Sequence, residues 1–179
     1  GDQAVRAGEI IRTMRDLATR GGTEQKTESL SGILAEIEFI IGLMVRDAGA
    51  RIFYDRQQGL VTCRFYRIQI QQLVVNLVRN AIDAVAKFPD REIRISTRPD
   101  VDGKLLTTVE DSGPGVDTAI MGRVFQPLAS TKATGRGLGL SICRAIVENR
   151  GGKHWVDPRP LGGAAFSFVL ARTGANGDD

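Results

Sequence analysis

Asn76 and Asn80 lie four residues apart in an apolar segment, so a helix would place both side chains on one face. They belong to a polar stripe that repeats every three or four residues: Gln72, Asn76, Asn80, Asp83 and Lys87. Each asparagine costs a helix about half a kcal/mol relative to alanine. An amide oxygen suits Mg²⁺ and an amide nitrogen can face a phosphate oxygen. The stripe is therefore either a metal and phosphate site or an ordinary solvent-facing surface.

A second candidate site follows a predicted strand, where Val109 and Glu110 lead into the segment Asp111-Ser112-Gly113-Pro114-Gly115. A carboxylate held at a strand end can accept a hydrogen bond from the exocyclic amine of adenine, and glycines let a flat ring approach the backbone. Such a buried hydrogen bond discriminates against bases that cannot satisfy it. The alternative is a plain turn, because Asp, Ser, Gly and Pro are common turn residues.

The third candidate site is the segment Thr134-Gly135-Arg136-Gly137-Leu138-Gly139-Leu140, which runs directly into a predicted helix. Free N–H groups and the positive end of the helix dipole bind anions at a helix start, and glycines let phosphates come close. No Lys-Ser/Thr pair follows, which excludes a P-loop, and no strand precedes it, which excludes a dinucleotide fingerprint. Alone, this glycine run is weak evidence for phosphate binding.

Hydrophobic periodicity and turn residues predict the elements that must position these candidates. The predicted helices span 4–20, 30–45, 68–88, 119–125 and 138–149. The predicted strands span 51–55, 60–65, 92–98, 105–109, 153–156 and 164–171, and they are expected to pair as hairpins, the first around Gln57-Gln58-Gly59 and the second around Asp102-Gly103. The predicted core face of helix 68–88 comprises Ile70, Leu73, Val74, Leu77, Val78, Ala81, Ile82 and Val85.

These elements favour an α/β (α+β) two-layer sandwich, in which helices cover one face of a mixed, mostly antiparallel sheet behind an N-terminal helical stub. The chain of 179 residues carries 24 basic and 21 acidic side chains. Because the two signs are interspersed, the charge predicts a solvated mixed surface and no nucleic-acid partner. Cys63 and Cys143 form neither a disulfide framework nor a metal-ligand pattern. With no apolar run near the roughly 18 residues of a membrane span, we expect a cytoplasmic location, as such or as the cytosolic part of a larger sensor.

In this order and spacing, the three motifs resemble the ATP-binding catalytic domain of sensor histidine kinases. The wider superfamily includes type II topoisomerase ATPase subunits, ninety-kilodalton heat-shock chaperones and mismatch-repair ATPases. The segment from Phe125 to Lys132 is most similar to the oxygen-sensing and nitrogen-regulating kinases of bacteria. The resemblance implies the C-terminal end of a dimerisation helix at 1–22 and a catalytic ATP-binding domain at 23–172, and a disordered tail is expected at 173–179.

The resemblance also implies roles for individual residues, with ATP and Mg²⁺ as cofactors. Asn80, with Asn76 beside it, would hold Mg²⁺ and the phosphates as catalytic residues, and Asp111 would accept from the adenine amine. The remaining implied nucleotide contacts are Gly113, Gly115, Thr131, Lys132, Gly135, Gly137, Leu138 and Gly139. Two positions depart from the family pattern: Asp83 stands where many relatives carry lysine, and Ala165 stands where we expect a threonine that fixes water near the adenine-binding carboxylate.

The implied activity is transfer of the ATP γ-phosphate to a histidine, and from there to an aspartate on the receiver domain of a response regulator. His154 lies in a predicted strand, so the acceptor histidine is expected on an upstream dimerisation domain. The full-length protein would be a homodimer, and this chain alone a monomer. Two alternatives stay open: a degenerate nucleotide-binding regulatory module, and an ATPase of the chaperone or topoisomerase type. Hydrolytic relatives carry a glutamate base at the position of Asn76, which disfavours the ATPase because an amide cannot take a proton.

Overall fold

The computed structural model describes residues 26–56, 62–100, 102, 104–126, 139–159 and 162–170. The predicted N-terminal helix at 4–20 and the predicted tail at 173–179 lie outside these residues. Within the described ranges, no helix has both the length and the apolar character needed to cross a bilayer.

Seven strands and four helices follow one another along the described chain. They are β1 (Lys26–Ser29), α1 (Leu30–Asp47), β2 (Arg51–Arg56), β3 (Thr62–Phe65), α2 (Arg67–Val85), β4 (Glu92–Pro99), β5 (Leu105–Asp111), α3 (Thr118–Met121), α4 (Gly139–Glu148), β6 (Lys153–Pro158) and β7 (Ala164–Leu170). The predicted helices 30–45, 68–88 and 138–149 correspond to α1, α2 and α4, and the helix predicted at 119–125 is the short α3.

The main sheet has five strands in the order β2-β4-β5-β7-β6. Its β2–β4 pair is parallel, and its other pairs are antiparallel. Side chains alternate between the two faces of a sheet, and the register partners Val109 and Phe166 lie in one core cluster with side chains of α1, α2 and α4. This arrangement confirms the predicted mixed, mostly antiparallel sheet with helices on one face.

The helix α2 occupies the middle of the helical layer, where it contacts α1, α4, β4 and β5. All of its predicted core residues are buried except Ile82, which packs against the core while remaining partly accessible. Val75 and Gln71 are buried as well, and Gln71 Nε2 donates a hydrogen bond to Glu36 Oε2 on α1 at 3.1 Å. Because α2 has a helix on either side as well as the sheet beneath it, its buried arc is wider than that of a surface helix.

The predicted hairpin between residues 51–55 and 60–65 is wrong. β2 pairs in parallel with β4, whereas β3 pairs antiparallel with β1 in a separate two-stranded sheet. Ile52 and Tyr54 of β2 pack against the core cluster, so β2 gains more by extending the main sheet than by pairing with its neighbour along the chain. β1 went unpredicted because Lys26–Ser29 is polar throughout and shows no alternation.

Candidate nucleotide-binding site

Asn76 and Asn80 lie one helical turn apart on α2 and are both half-buried. The Nδ2 atoms of both residues are shielded from solvent and make no hydrogen bond within the described part of the chain. A buried donor without a partner costs about 1–3 kcal/mol, so two of them on one helix face call for an acceptor. Phosphate oxygens are such acceptors, and amide oxygens at the same place suit Mg²⁺. These residues therefore fit the predicted ligands.

The other members of the polar stripe differ from this pair. Gln72, Asp83 and Lys87 are exposed, as expected of a solvent-facing surface. The stripe thus contains a candidate metal and phosphate site as well as a solvent-facing surface. Its two asparagines point into the protein at a cost, and its remaining residues face solvent.

Asp111 is the last residue of β5, and its side chain is buried on the sheet face that carries the helices, with 1% of its surface exposed. Its Oδ1 accepts a hydrogen bond from the backbone N–H of Gly113 at 2.9 Å. The next residue, Ser112, anchors the chain to β4: its N–H donates to Glu92 O at 3.0 Å, and its Oγ accepts from Glu92 N at 2.9 Å. The carboxyl group is therefore held at a strand end, as the sequence predicts.

Gly113 brings the turn after Asp111 against the C-terminal end of α2. A Cβ atom at Gly113 would lie 2.9 Å from both Cβ and O of Ala84, and 2.8 Å from Asp111 Oδ1. Ala84 follows Asn80 by one helical turn of about 5.4 Å, so the Asp111 turn lies next to the asparagine pair. The sequence predicts that Gly113 lets a flat ring approach the backbone, whereas in the structure the missing side chain makes room for α2.

Two glycines with left-handed backbones bring the β6–β7 connection against the other side of Asp111. Gly115 has φ +80° and Gly163 has φ +91°, values that favour glycine. A Cβ at Gly115 would lie 3.1 Å from Gly163 O, and a Cβ at Gly163 would collide with Asp111 O. Gly163 was not among the predicted site residues, although the Gly162-Gly163 pair before the last strand was a visible signal.

Arg159 is a further residue at this site that the sequence analysis missed. Its Nη1 donates a hydrogen bond to the backbone carbonyl of Asp111 at 2.8 Å, and its Nε lies 3.6 Å from Glu110 Oε1. No motif or periodicity marks Arg159 in the sequence, because its side chain contacts Asp111, which lies 48 positions away along the chain.

The predicted departure at Ala165 is misplaced by one residue. Ala165 pairs with Glu110, and paired residues share a face of the sheet, so Ala165 lies on the face opposite to Asp111. Its neighbour Ala164 belongs to the core cluster on the helix-covered face. A threonine hydroxyl near the Asp111 carboxylate would therefore have to come from position 164.

The start of α4 completes the candidate site. Burial raises the pKa of the Cys143 thiol to about 12, and the nearby Asn76 side chain opposes that rise, although Asn76 Nδ2 makes no hydrogen bond to the sulfur. Gly139, the first residue of α4, precedes Cys143 by one turn and has open space where a side chain would be. The helix start therefore lies close to Asn76. The other predicted phosphate contacts, Thr131, Lys132, Gly135, Gly137 and Leu138, lie outside the described residues.

Residues 65–174, which span α2 to β7 and all the described site residues, match the family of histidine kinase-, DNA gyrase B- and HSP90-like ATPases. The chain belongs to this family. The match confirms the predicted superfamily.

Within this ATPase family, the chain is similar to sensor histidine kinases. Sensor protein FixL of Bradyrhizobium diazoefficiens is 37% identical over 175 residues, which cover 98% of this chain and 35% of FixL. The solved catalytic domain of histidine kinase ThkA has a TM-score of 0.74 and 30% identity, covering 84% of this chain and 97% of that domain. ThkA in complex with response regulator protein TrrA has a TM-score of 0.71 and 25% identity, covering 96% of this chain and 49% of that one.

These similarities confirm the predicted histidine-kinase type of catalytic domain and its α/β sandwich. The chain spans about a third of the length of FixL. The matched part includes the ATPase-family segment, residues 65–174.

Proposed function

We propose that this chain binds Mg²⁺–ATP between α2, the Asp111 turn and the start of α4, and transfers the γ-phosphate to a histidine outside residues 1–179. The observation that carries the proposal is the pair of buried amide nitrogens on Asn76 and Asn80, which lack protein partners within the described residues. Two such donors on one helix face lower the stability of the fold, and a ligand that supplies acceptors would remove that cost. Family membership supplies the identity of that ligand.

Each site residue has a role in this proposal. Asn76 and Asn80 hold Mg²⁺ and orient the phosphates, and bound Mg²⁺ would neutralise charge that develops during transfer. Asp111 accepts from the adenine amine, and the turn through Gly113 and Gly115 shapes that pocket. Gly139 would contact the phosphates, and we propose Thr131, Lys132, Gly135, Gly137 and Leu138 as further phosphate contacts.

Transfer to a protein acceptor is favoured over hydrolysis because Asn76 cannot activate water. An amide has no basic site at neutral pH, so the position that would hold a general base is inert. Phosphoryl transfer to a delivered nucleophile depends mainly on positioning and on electrostatic stabilisation, which these residues can provide. An ATPase would need this base, which the chain lacks. The adenine-binding Asp111 and the phosphate-binding glycines are present in the sequence, which argues against a degenerate module.

His154 is a poor acceptor in this fold. It sits within β6, paired with Phe168, and the edge of its ring packs against Phe125 with 4.4 Å between centroids. This packing fixes the ring inside the domain, and burial lowers the pKa of His154. We therefore propose that the acceptor belongs to an upstream dimerisation domain of the same protein, which works in the cytoplasm as a homodimer.

The proposed second acceptor is an aspartate on the receiver domain of a response regulator. The similarity to ThkA, which was solved in complex with response regulator TrrA, supports this partner class. The mixed charge of the chain supports a protein partner over a nucleic acid.

A phosphotransfer assay tests the proposal. The chain is incubated with labelled Mg²⁺–ATP, alone and with the separately produced histidine-bearing domain of its full-length protein. We expect acid-labile label on the added domain, none on the chain, and loss of transfer in Asn80→Ala but not in Gln72→Ala, an exposed position on the same helix. Label on the chain that disappears in His154→Ala would contradict the assignment of the acceptor. If phosphate is released from ATP at the same rate with and without the added histidine-bearing domain, the ATPase alternative would be favoured.

A further inference from the structure

Arg159 lies where the pairing between β5 and β7 ends. The last register pair is Glu110 with Ala165, so the carbonyl of Asp111 lies just beyond the ladder. Arg159 Nη1 donates to this carbonyl at 2.8 Å, and the Arg159 side chain is 25% exposed. The Arg159 guanidinium thus supplies the hydrogen bond to the Asp111 carbonyl that a further residue pair between β5 and β7 would otherwise supply.

The guanidinium is itself held in place. Its Nε faces Glu110 Oε1 at 3.6 Å, and Arg94 Nε lies 3.8 Å from Glu110 Oε2. The backbone of the β6–β7 turn closes on Arg159, because Arg159 N donates to Gly163 O and Gly162 N donates to Arg159 O, both at 3.1 Å. These contacts leave the planar group with two donors aimed at neighbouring residues, a geometry that lysine cannot reproduce.

We propose that Arg159 is a positioning residue, which acts through Asp111 to set the selectivity of the site for adenine. This inference rests on the proposed role of Asp111. Gly113 N holds one carboxylate oxygen, and Ser112 anchors the chain to β4. Arg159 adds a hydrogen bond to the Asp111 carbonyl on the β7 side of this peptide. Hydrogen bonds weaken steeply as their angle departs from linearity. A tilt of the Asp111 peptide would therefore weaken the hydrogen bond to the adenine amine, and lower the selectivity for adenine, before it affected binding through the phosphates.

The test compares ADP with inosine diphosphate, which carries a carbonyl oxygen in place of the adenine amine. Titration calorimetry at one fixed Mg²⁺ concentration gives the affinity ratio for wild type, Arg159→Met, Arg159→Lys and Arg94→Met. The last variant is the matched control, because it removes the other cation beside Glu110 and leaves the hydrogen bond to Asp111 O in place. Loss of general stability would lower both affinities together and leave the ratio unchanged.

We expect wild type and Arg94→Met to prefer ADP by at least about tenfold, as one buried hydrogen bond provides. Arg159→Met should reduce this ratio to about threefold or less. Arg159→Lys, which decides the matter if the methionine variant does not fold, should give a ratio below half that of wild type, because lysine cannot make both contacts. Ratios within twofold of wild type in the folded variants would overturn the role of Arg159 alone. A wild-type ratio near one would instead overturn the proposed adenine contact, and the inference with it.

Discussion

Asp111 places a carboxyl group where 1% of its surface is exposed, and burial of such a group is costly unless donors compensate it. Gly113 N supplies one donor, and we propose the adenine amine as another. Asp111→Asn removes the charge and turns one oxygen into a donor, so ADP affinity should fall at least about tenfold, or about 1.4 kcal/mol. Titration calorimetry measures the loss, with Asp55→Asn on the exposed side of β2 as control. Near-wild-type binding would refute the adenine contact.

Replacing an asparagine of α2 should change the stability of the chain and its affinity for nucleotide in opposite directions. Asn80→Ala removes a buried donor without a partner and improves helix propensity, so thermal or chemical denaturation of the ligand-free chain should show a gain of about 1 kcal/mol. The same variant should bind Mg²⁺–ADP at least about tenfold more weakly. Gln72→Ala, on the solvent side of the stripe, should leave binding unchanged. A variant that loses stability and keeps its affinity would show that Asn80 is structural.

At the residue scale, the sequence indicates site residues that belong to a local pattern. Asn76 and Asn80 were found from helical spacing, and Asp111 from a strand that runs into a turn. Arg159 and Gly163 were not found, because each matters through a contact with Asp111 that only the folded chain creates. Gly113 was found for a different reason from the one the structure shows, since its neighbour Ala84 belongs to another element.

At the element scale, α3 is the shortest described helix. α3 has four residues, none of them buried, and Asp117 caps it by accepting from Ala119 N at 2.9 Å. Because α3 has no buried residue, we expect it to open more readily than α1, α2 and α4, and a lid over a nucleotide must open for exchange. Hydrogen exchange of 116–137 should therefore be fast without nucleotide and slower with it, whereas α1 should not respond. Equal protection of 116–137 in both states would argue against a ligand-ordered lid.

The predictions of α1, α2 and α4 were correct and the pairing of β2 was not, for a physical reason. A helix is stabilised by contacts three and four residues apart, so α1, α2 and α4 can be inferred from local periodicity. A strand needs a partner, and the partner of β2 is β4, which follows only after β3 and α2. Proximity along the chain favoured a hairpin, and burial of Ile52 and Tyr54 against the helices decided otherwise.

At the scale of the whole molecule, the described surface exposes few large apolar residues. Its large exposed apolar residues are Phe39, Phe53 and Ile142, which belong to α1, β2 and α4 respectively. Single exposed apolar residues are ordinary on a monomer, whereas stable interfaces need contiguous apolar area. The described part of the catalytic domain therefore gives little reason for self-association.

The oligomeric state of this chain follows from that surface and from the sequence before it. Residues 4–20 repeat apolar side chains at a three- and four-residue spacing, as in the seam of a paired helix, but over only about two and a half heptads. Two such helices would bury well under the roughly 1,000 Å² expected of a stable interface. Analytical sedimentation at micromolar concentration should therefore show a monomer, and a longer chain that includes the upstream helices should show a dimer. A tight dimer from residues 1–179 would contradict this expectation. Phe39→Ser would then separate an interface on α1, which it should dissociate, from one formed by residues 4–20, which it should leave intact.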